Sequence, residues 1–296
     1  MDPNFPKNLN IKPLKTTHNL SDNLFGPEAQ QSAIQSYGIA GRVWEAAYAM
    51  TTYLDPSSSW SFDPPPFTRQ KSGPLSILEL GSGTGIVASL IATFIDANDL
   101  LIATDLPEVC PLLEQNLTAG HHESSAHNLV VQPLSWGTEV HAQNVKHLLA
   151  DRQLSYIICS DLVYFPELLG PLLRSLLHLT SKNFLSKDGS TPTIVISYMI
   201  RSLTKESPFW SAFGLWFQFY PVLANTNLEG ATWQPLGSAV NDDPCFVFQA
   251  DRRPESLDWV VPASDEELLG GVGANGSSSR KEDSTFESLL LFAMED

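Results

Sequence analysis

Cysteine is scarce in this chain, and its placement excludes two classes at once. Cys110, Cys159 and Cys245 are odd in number and widely spaced, so they form neither a disulfide framework nor a Cys/His cluster at zinc spacing, and they read as reduced thiols. No metal site is expected. Basic residues are few as well: 17 lysines and arginines stand against 33 aspartates and glutamates, a formal net charge of −16. Such a field repels phosphate backbones and attracts cationic or lysine-bearing segments, so nucleic acid is a poor partner. The charge could equally serve solubility alone, since part of the excess lies in the C-terminal region. Long apolar runs are also missing: nothing reaches the roughly 18 residues of a spanning helix, and the opening stretch, MDPNFPKNLNIKPLKTTHNL, lacks the apolar centre of a secretory signal. The expectation is a protein of the cytosol or nucleus, without membrane contact and monomeric by default.

At 296 residues with 43% hydrophobic composition the chain can bury a full core. Residues 1–30 are polar and rich in Pro and Asn and read as an extension, with the main domain over 31–296. Residues 39–54 are rich in helix formers with three- and four-residue apolar spacings, which predicts a helix. Pro56, Pro64, Pro65, Pro66 and Pro74 with several serines predict an irregular loop over 55–74. From Leu75 short β-rich runs alternate with helical segments. Strands are expected at 76–80, 100–104, 129–132, 155–160 and 193–199, helices at 86–95, 107–117 and 166–181, then a helix running into a sixth strand over 205–223. This is the signature of an α/β fold: a Rossmann-like, doubly wound, mostly parallel sheet with ligands at the carboxyl ends of its strands. Two apolar segments, 245–250 and 286–294, compete for the last strand, and 286–294 is preferred. The Gly/Ser-rich, charged stretch around 270–285 suggests a flexible insertion within 225–285.

The strongest local signal is Leu78-Glu79-Leu80-Gly81-Ser82-Gly83-Thr84-Gly85 between a strand and a helix. Alternate glycines let the backbone turn tightly and approach a ligand, whose polar groups meet free amides at the helix start. Gly83, Gly85 and Ala88 also satisfy the dinucleotide fingerprint GxGxxA, and a plain tight turn would look the same. Glu79 ends the first strand, and Asp105 closes the second 24 residues after Gly81, where an acid takes ribose hydroxyls. Trp136, in Pro133-Leu134-Ser135-Trp136-Gly137, brings a ring to the end of the third strand, where an adenine could stack or a core could close. An adenosyl ligand suits this set, although nicotinamide enzymes use the second acid too.

The segments GIAGRVWEAA (38–47), LELGSGTGIV (78–87), TDLPEVCPLLEQN (104–116), VQPLSWG (131–137) and SDLVYFPELLGPLL (160–173) resemble, in order, those of the seven-β-strand protein-lysine methyltransferases of family 16. The resemblance implies a seven-stranded sheet with an antiparallel last strand and S-adenosylmethionine as cofactor. It implies binding of that cofactor through Trp44, Glu79, Gly81, Gly83, Gly85, Asp105, Leu106, Trp136 and Ser160, and catalysis beside Asp161 and Tyr164 of an Asp-x-x-Tyr element. The acceptor it implies is a lysine on a protein, with elongation factors and chaperones as classes.

Methyl transfer from a sulfonium requires positioning above all. A lysine amine, with a pKa near about 10.4, is neutral in only about one molecule in a thousand at neutral pH. A carboxylate beside it would stabilise the ammonium, so Asp161 is expected to orient groups, and Tyr164 to offer a hydroxyl and an aromatic face. Base-amino methyltransferases carry Asn/Asp-Pro-Pro-Tyr here, and arginine methyltransferases a pair of glutamates; neither is present. Small-molecule N-methylation is the runner-up, and a catalytically silent binding module comes third. Met199 stands where relatives often have a basic residue, Arg201 is read as structural, and His121 and His122 as loop residues.

Overall fold

Beyond Leu75 the alternation of strand-like and helix-like runs folds as its patterning dictates, in a computed structural model that describes residues 10–14, 22–67, 73–120, 128–228, 230–236 and 245–294. Helices α1 (Asp22–Phe25) and α2 (Pro27–Tyr37) lead through a 3-10 turn, Gly38–Gly41, to α3 (Glu45–Leu54) and a short strand, β1 (Ser61–Asp63). Then follow β2 (Ser76–Leu80), α4 (Ile86–Ala92), β3 (Leu100–Asp105), α5 (Cys110–Gly120), β4 (Leu129–Pro133), α6 (Glu139–Leu149), β5 (Tyr156–Ser160), α7 (Pro166–Leu179), β6 (Thr193–Met199), α8 (Leu203–Trp216) and β7 (Phe217–Pro221). After β8 (Leu223–Asn225) and β9 (Gln234–Pro235) comes β10 (Cys245–Arg252). The main sheet has seven strands in the order β4-β3-β2-β5-β6-β10-β7. The first five run parallel, and β10 is antiparallel to both β6 and β7. Strand order reverses between β2 and β5, so their carboxyl ends open a crevice at the switch point.

Alternation along β2 assigns its residues to two cores. Leu78 and Leu80 join the layer under α6, α7 and α8, whereas Ile77 joins the layer under α3, α4 and α5. Both faces are covered, which is why the central strands read as continuous apolar runs.

Three sequence expectations are corrected. The helix expected over 39–54 is interrupted at Arg42–Trp44, because the Val43 N–H is taken by Gln30 Oε1 (3.2 Å) and α3 starts afresh with Trp44 in an extended conformation at its N-cap. The loop over 55–74 contains β1, which pairs antiparallel with β8. The last strand is Cys245–Arg252, and Thr285–Met294 is a helix. Apolarity alone could not separate them: β10 lies between two strands and is buried on both faces, whereas the terminal helix buries Phe286 completely and leaves Leu291 exposed.

The region expected to hold a flexible insertion thus includes a strand of the main sheet. Its later part is tied to α7 and α8: Arg174 Nη2 donates to Asp265 Oδ1 (2.7 Å), Arg174 Nη1 to the Pro262 carbonyl (2.7 Å), and the Asp283 N–H to Ser211 Oγ (3.1 Å). At the other end, the boundary expected at residue 30 falls inside α2. There Gln30, 1% exposed, accepts from the Leu14 N–H (3.0 Å) and donates to the Phe25 carbonyl (2.7 Å).

Candidate active site

The crevice is a cavity of about 280 Å³ at the carboxyl ends of β2, β3, β4 and β5. Its floor is the loop after β2. Gly81 has φ +59°, and a Cβ there would stand 2.8 Å from a Leu162 methyl and 3.1 Å from the Trp136 ring. A side chain is therefore excluded both by backbone conformation and by space. Gly83, also left-handed, approaches the Ala40 carbonyl. Gly85, expected at the cofactor, does not line the cavity: it caps α4 and packs against Leu113 of α5.

Asp105 ends β3 facing this loop. Its Oδ2 accepts from the Gly83 N–H and its Oδ1 from the Leu106 N–H, each at 2.7 Å. Each oxygen keeps a second lone pair for an incoming hydroxyl. Burial pushes the Asp105 carboxyl up to about 6 against those two hydrogen bonds, with Glu108 adding to the rise. Glu79, 1% exposed, is pushed up to about 8, again by burial and then by the charge of Asp105. Glu79 Oε2 and Ser82 Oγ have no hydrogen-bond partner among the described residues. Buried polar atoms without partners are uncommon, and here they border the cavity.

The wall after β4 is pinned from two helices. The Ser135 N–H donates to His141 Nδ1 of α6 (2.8 Å) and the Gly137 N–H to Ser175 Oγ of α7 (2.7 Å), which fixes Trp136 between them. Ser160 ends β5, and Asp161 and Tyr164 follow it; all three line the cavity, as do Trp44, Glu79, Gly81, Gly83, Asp105, Leu106 and Trp136. Tyr164 is mostly buried against Phe165 (ring centroids 4.7 Å apart), and burial, with nearby Asp105 and Asp161, raises its phenol well above the ordinary value. It therefore stays a neutral hydroxyl.

Sequence reasoning missed the contribution of the turn before α3. Ile39, Ala40, Arg42 and Val43 line the cavity together with Trp136 and Pro171. Trp44 donates its indole N–H to the Ile39 carbonyl (3.0 Å), and the guanidinium groups of Arg42 and Arg201 lie 4.3 and 5.2 Å from its ring. The segment GIAGRVWEAA and an i, i+3 Arg42–Glu45 pair within it were the local clues. His121 and His122 lie outside the described residues. Among the described residues no cluster of His, Cys, Asp and Glu could hold a metal, and no helix is long and apolar enough to cross a membrane.

A family model described as lysine methyltransferase matches residues 28–213. Among curated proteins, the chain is similar to mouse protein-lysine methyltransferase METTL21E, 30% identical over 138 residues, covering 47% of this chain and 50% of that one. It is also similar to Xenopus tropicalis protein N-lysine methyltransferase METTL21A, 29% identical over 145 residues, covering 49% of this chain and 57% of that one. The chain thus spans about half the length of these relatives.

Proposed function

The chain belongs to the lysine methyltransferase family, and from that premise we propose that it binds S-adenosylmethionine in the crevice and methylates a lysine side chain on a protein. One observation carries the reading: the glycine loop, the Asp105 carboxylate and the Tyr164 hydroxyl all border a single cavity. Its residues fit the cofactor. Asp105 has free lone pairs for ribose hydroxyls, Glu79 Oε2 is a buried polar atom in need of a partner, and Trp136 offers a ring to the adenine. Trp44, Gly81, Gly83, Leu106 and Ser160 would complete the binding surface, with Gly85 acting indirectly by shaping the turn. When bound, the cofactor supplies an activated methyl group, so the protein's task is to orient and to exclude water. Tyr164 serves the acceptor, contributing a neutral hydroxyl and an aromatic face to the lysine stem, and Asp161 orients it.

The relatives, named as protein-lysine methyltransferases, support a protein acceptor, and elongation factors and chaperones are the classes to seek. No disulfide joins the three buried cysteines, which supports a reducing compartment, the cytosol or nucleus; fluorescence microscopy of the tagged protein tests that.

The experiment is to incubate the enzyme and methyl-labelled cofactor with hypomethylated extract, treat parallel samples with protease and nuclease, and map labelled residues by mass spectrometry. Label on protein lysine is expected. Label confined to the low-molecular-weight fraction would instead make this a small-molecule N-methyltransferase, and tight cofactor binding without label would leave a binding module. Tyr164→Ala is expected to lower kcat tenfold or more while cofactor affinity stays within a few-fold, because it removes a contact made to the acceptor. Normal turnover in the folded variant would remove Tyr164 from the acceptor site.

A further inference from the structure

Behind the acceptor side of the cavity lies a charge network that the functional reading leaves unused. Asp161 follows β5 with φ +59°, its side chain 1% exposed. Its Oδ1 accepts from Arg201 Nη1 (2.7 Å) and its Oδ2 from Arg201 Nη2 (2.5 Å). Arg201 does not line the cavity; it sits just past β6 and is held on three sides. Glu206 of α8, 1% exposed, accepts from the Arg201 N–H (3.2 Å), the Ser202 N–H (2.9 Å) and the Tyr198 hydroxyl (2.5 Å). The guanidinium also reaches Glu45 Oε2 of α3 (3.3 Å), which Arg42 shares, and lies against the Trp44 ring.

This arrangement resolves a conflict in the chemistry. An acceptor lysine must lose one proton to solvent, freeing the lone pair that forms the new N–C bond while the C–S bond breaks and its electron pair stays on sulfur. A carboxylate facing that amine opposes the loss, because an opposite charge at short range favours the ammonium. We propose that Arg201 is a positioning residue: its fork neutralises Asp161 and locks its orientation, so that this carboxylate can align the acceptor lysine without retaining the lysine's proton. The proposal rests on the lysine reading. The other charged or titratable groups about this pair are Glu45 and Arg42 beside α3, Glu206 of α8, Tyr198 of β6, Glu167 at the start of α7, Asp105 and Glu79 at the ends of β3 and β2, and Tyr164; all stay unchanged in the variants below.

The test is the pH dependence, from about pH 6 to 10, of single-turnover label transfer to total protein from a hypomethylated extract at saturating cofactor. In Arg201→Met the unpaired carboxylate should move the alkaline-rising limb up by about one pH unit, slowing transfer about tenfold at pH 7.5 with recovery at higher pH. Asp161→Asn keeps a side chain tolerant of left-handed backbone and leaves the cation, so its limb should move down. The double variant, neutral at both positions, should return the limb to that of the wild type. A second readout needs no cofactor: Arg201→Met should melt below the wild type at pH 8, because it leaves the buried Asp161 carboxylate without its partner, and the double variant should recover much of that loss. A limb that stays put in both single variants, or moves the same way in both, overturns the proposal. If Arg201→Met fails to fold, Asp161→Asn decides alone, a downward shift supporting the proposal and an unmoved limb overturning it. Wild-type protein that labels no lysine overturns the lysine reading, and this proposal with it; wild-type labelling with unmoved limbs overturns this proposal alone.

Discussion

Asp105→Ala is expected to weaken S-adenosylmethionine binding by about tenfold to more than a hundredfold, the range that follows from losing a hydrogen bond to a charged group. The large end is expected because two things go at once. The ribose loses its acceptor, and the Gly83 and Leu106 N–H groups, each held at 2.7 Å by this carboxylate, lose the partner that shapes the loop. Calorimetry with the folded variant checks it, and unchanged affinity would remove the cavity assignment. The same carboxyl sets a pH dependence. Burial raises it to about 6, so affinity for the cofactor should fall as pH drops through that value and the acceptor becomes protonated.

The stability of the cofactor-free protein should respond in the opposite direction. Glu79 and Asp105 are both raised above their ordinary values by burial, so the native state binds protons more tightly than the unfolded chain does. Their contribution is fully present below the ordinary carboxylate range and is lost as pH rises through about 6 for Asp105 and about 8 for Glu79. Glu79→Gln should flatten the upper part of that slope in thermal melts taken between pH 6 and 8.5.

Trp210→Ala is expected to cost about 3–5 kcal/mol of folding stability, lowering the melting temperature on the order of 10 °C. The indole is fully buried, stacks on Phe286 with centroids 4.8 Å apart and planes 11° apart, and touches Tyr198 and Phe248 at 5.1 Å each. It thereby joins α8, β6, β10 and the terminal helix. Denaturant unfolding measures the change, and a loss below about 1 kcal/mol would mean that the cavity collapses or that the terminal helix does not depend on this ring. Because Tyr198 also holds Glu206, the variant should in addition loosen the Arg201 network, visible as a slower transfer even at temperatures where the protein is folded.

Much of the site was legible because its parts are local. The loop from Glu79 to Gly85 announces itself by glycine spacing, and Asp105 stands at a strand end recognisable from a short β-rich run, whereas Tyr164, past the end of β5, was singled out by the family resemblance. Residue type and period carry that information over a few positions, and the doubly wound order of the parallel strands follows from the alternation of strands with crossover helices. Other features depend on partners far along the chain. Arg201 was read as merely structural because nothing near it in sequence reveals that its fork closes on Asp161, 40 residues away, and reaches Glu45, 156 residues away. The interruption between the Gly38–Gly41 turn and α3 depends on a Gln30 side chain, which no helical periodicity records. The terminal segment illustrates the same limit: 245–250 and 286–294 are both apolar enough for a strand, and only the long-range pairing with β6 on one side and β7 on the other marks the first as β10, while the second is a helix over Trp210. The sequence by itself determined the strand–helix alternation, the glycine loop and the acids at the strand ends, since these follow from local propensity and spacing. Only the tertiary structure decided the Arg201–Asp161 pairing, the break before α3 and the identity of the last strand, because each rests on long-range contacts whose energy exists only once distant segments are packed together.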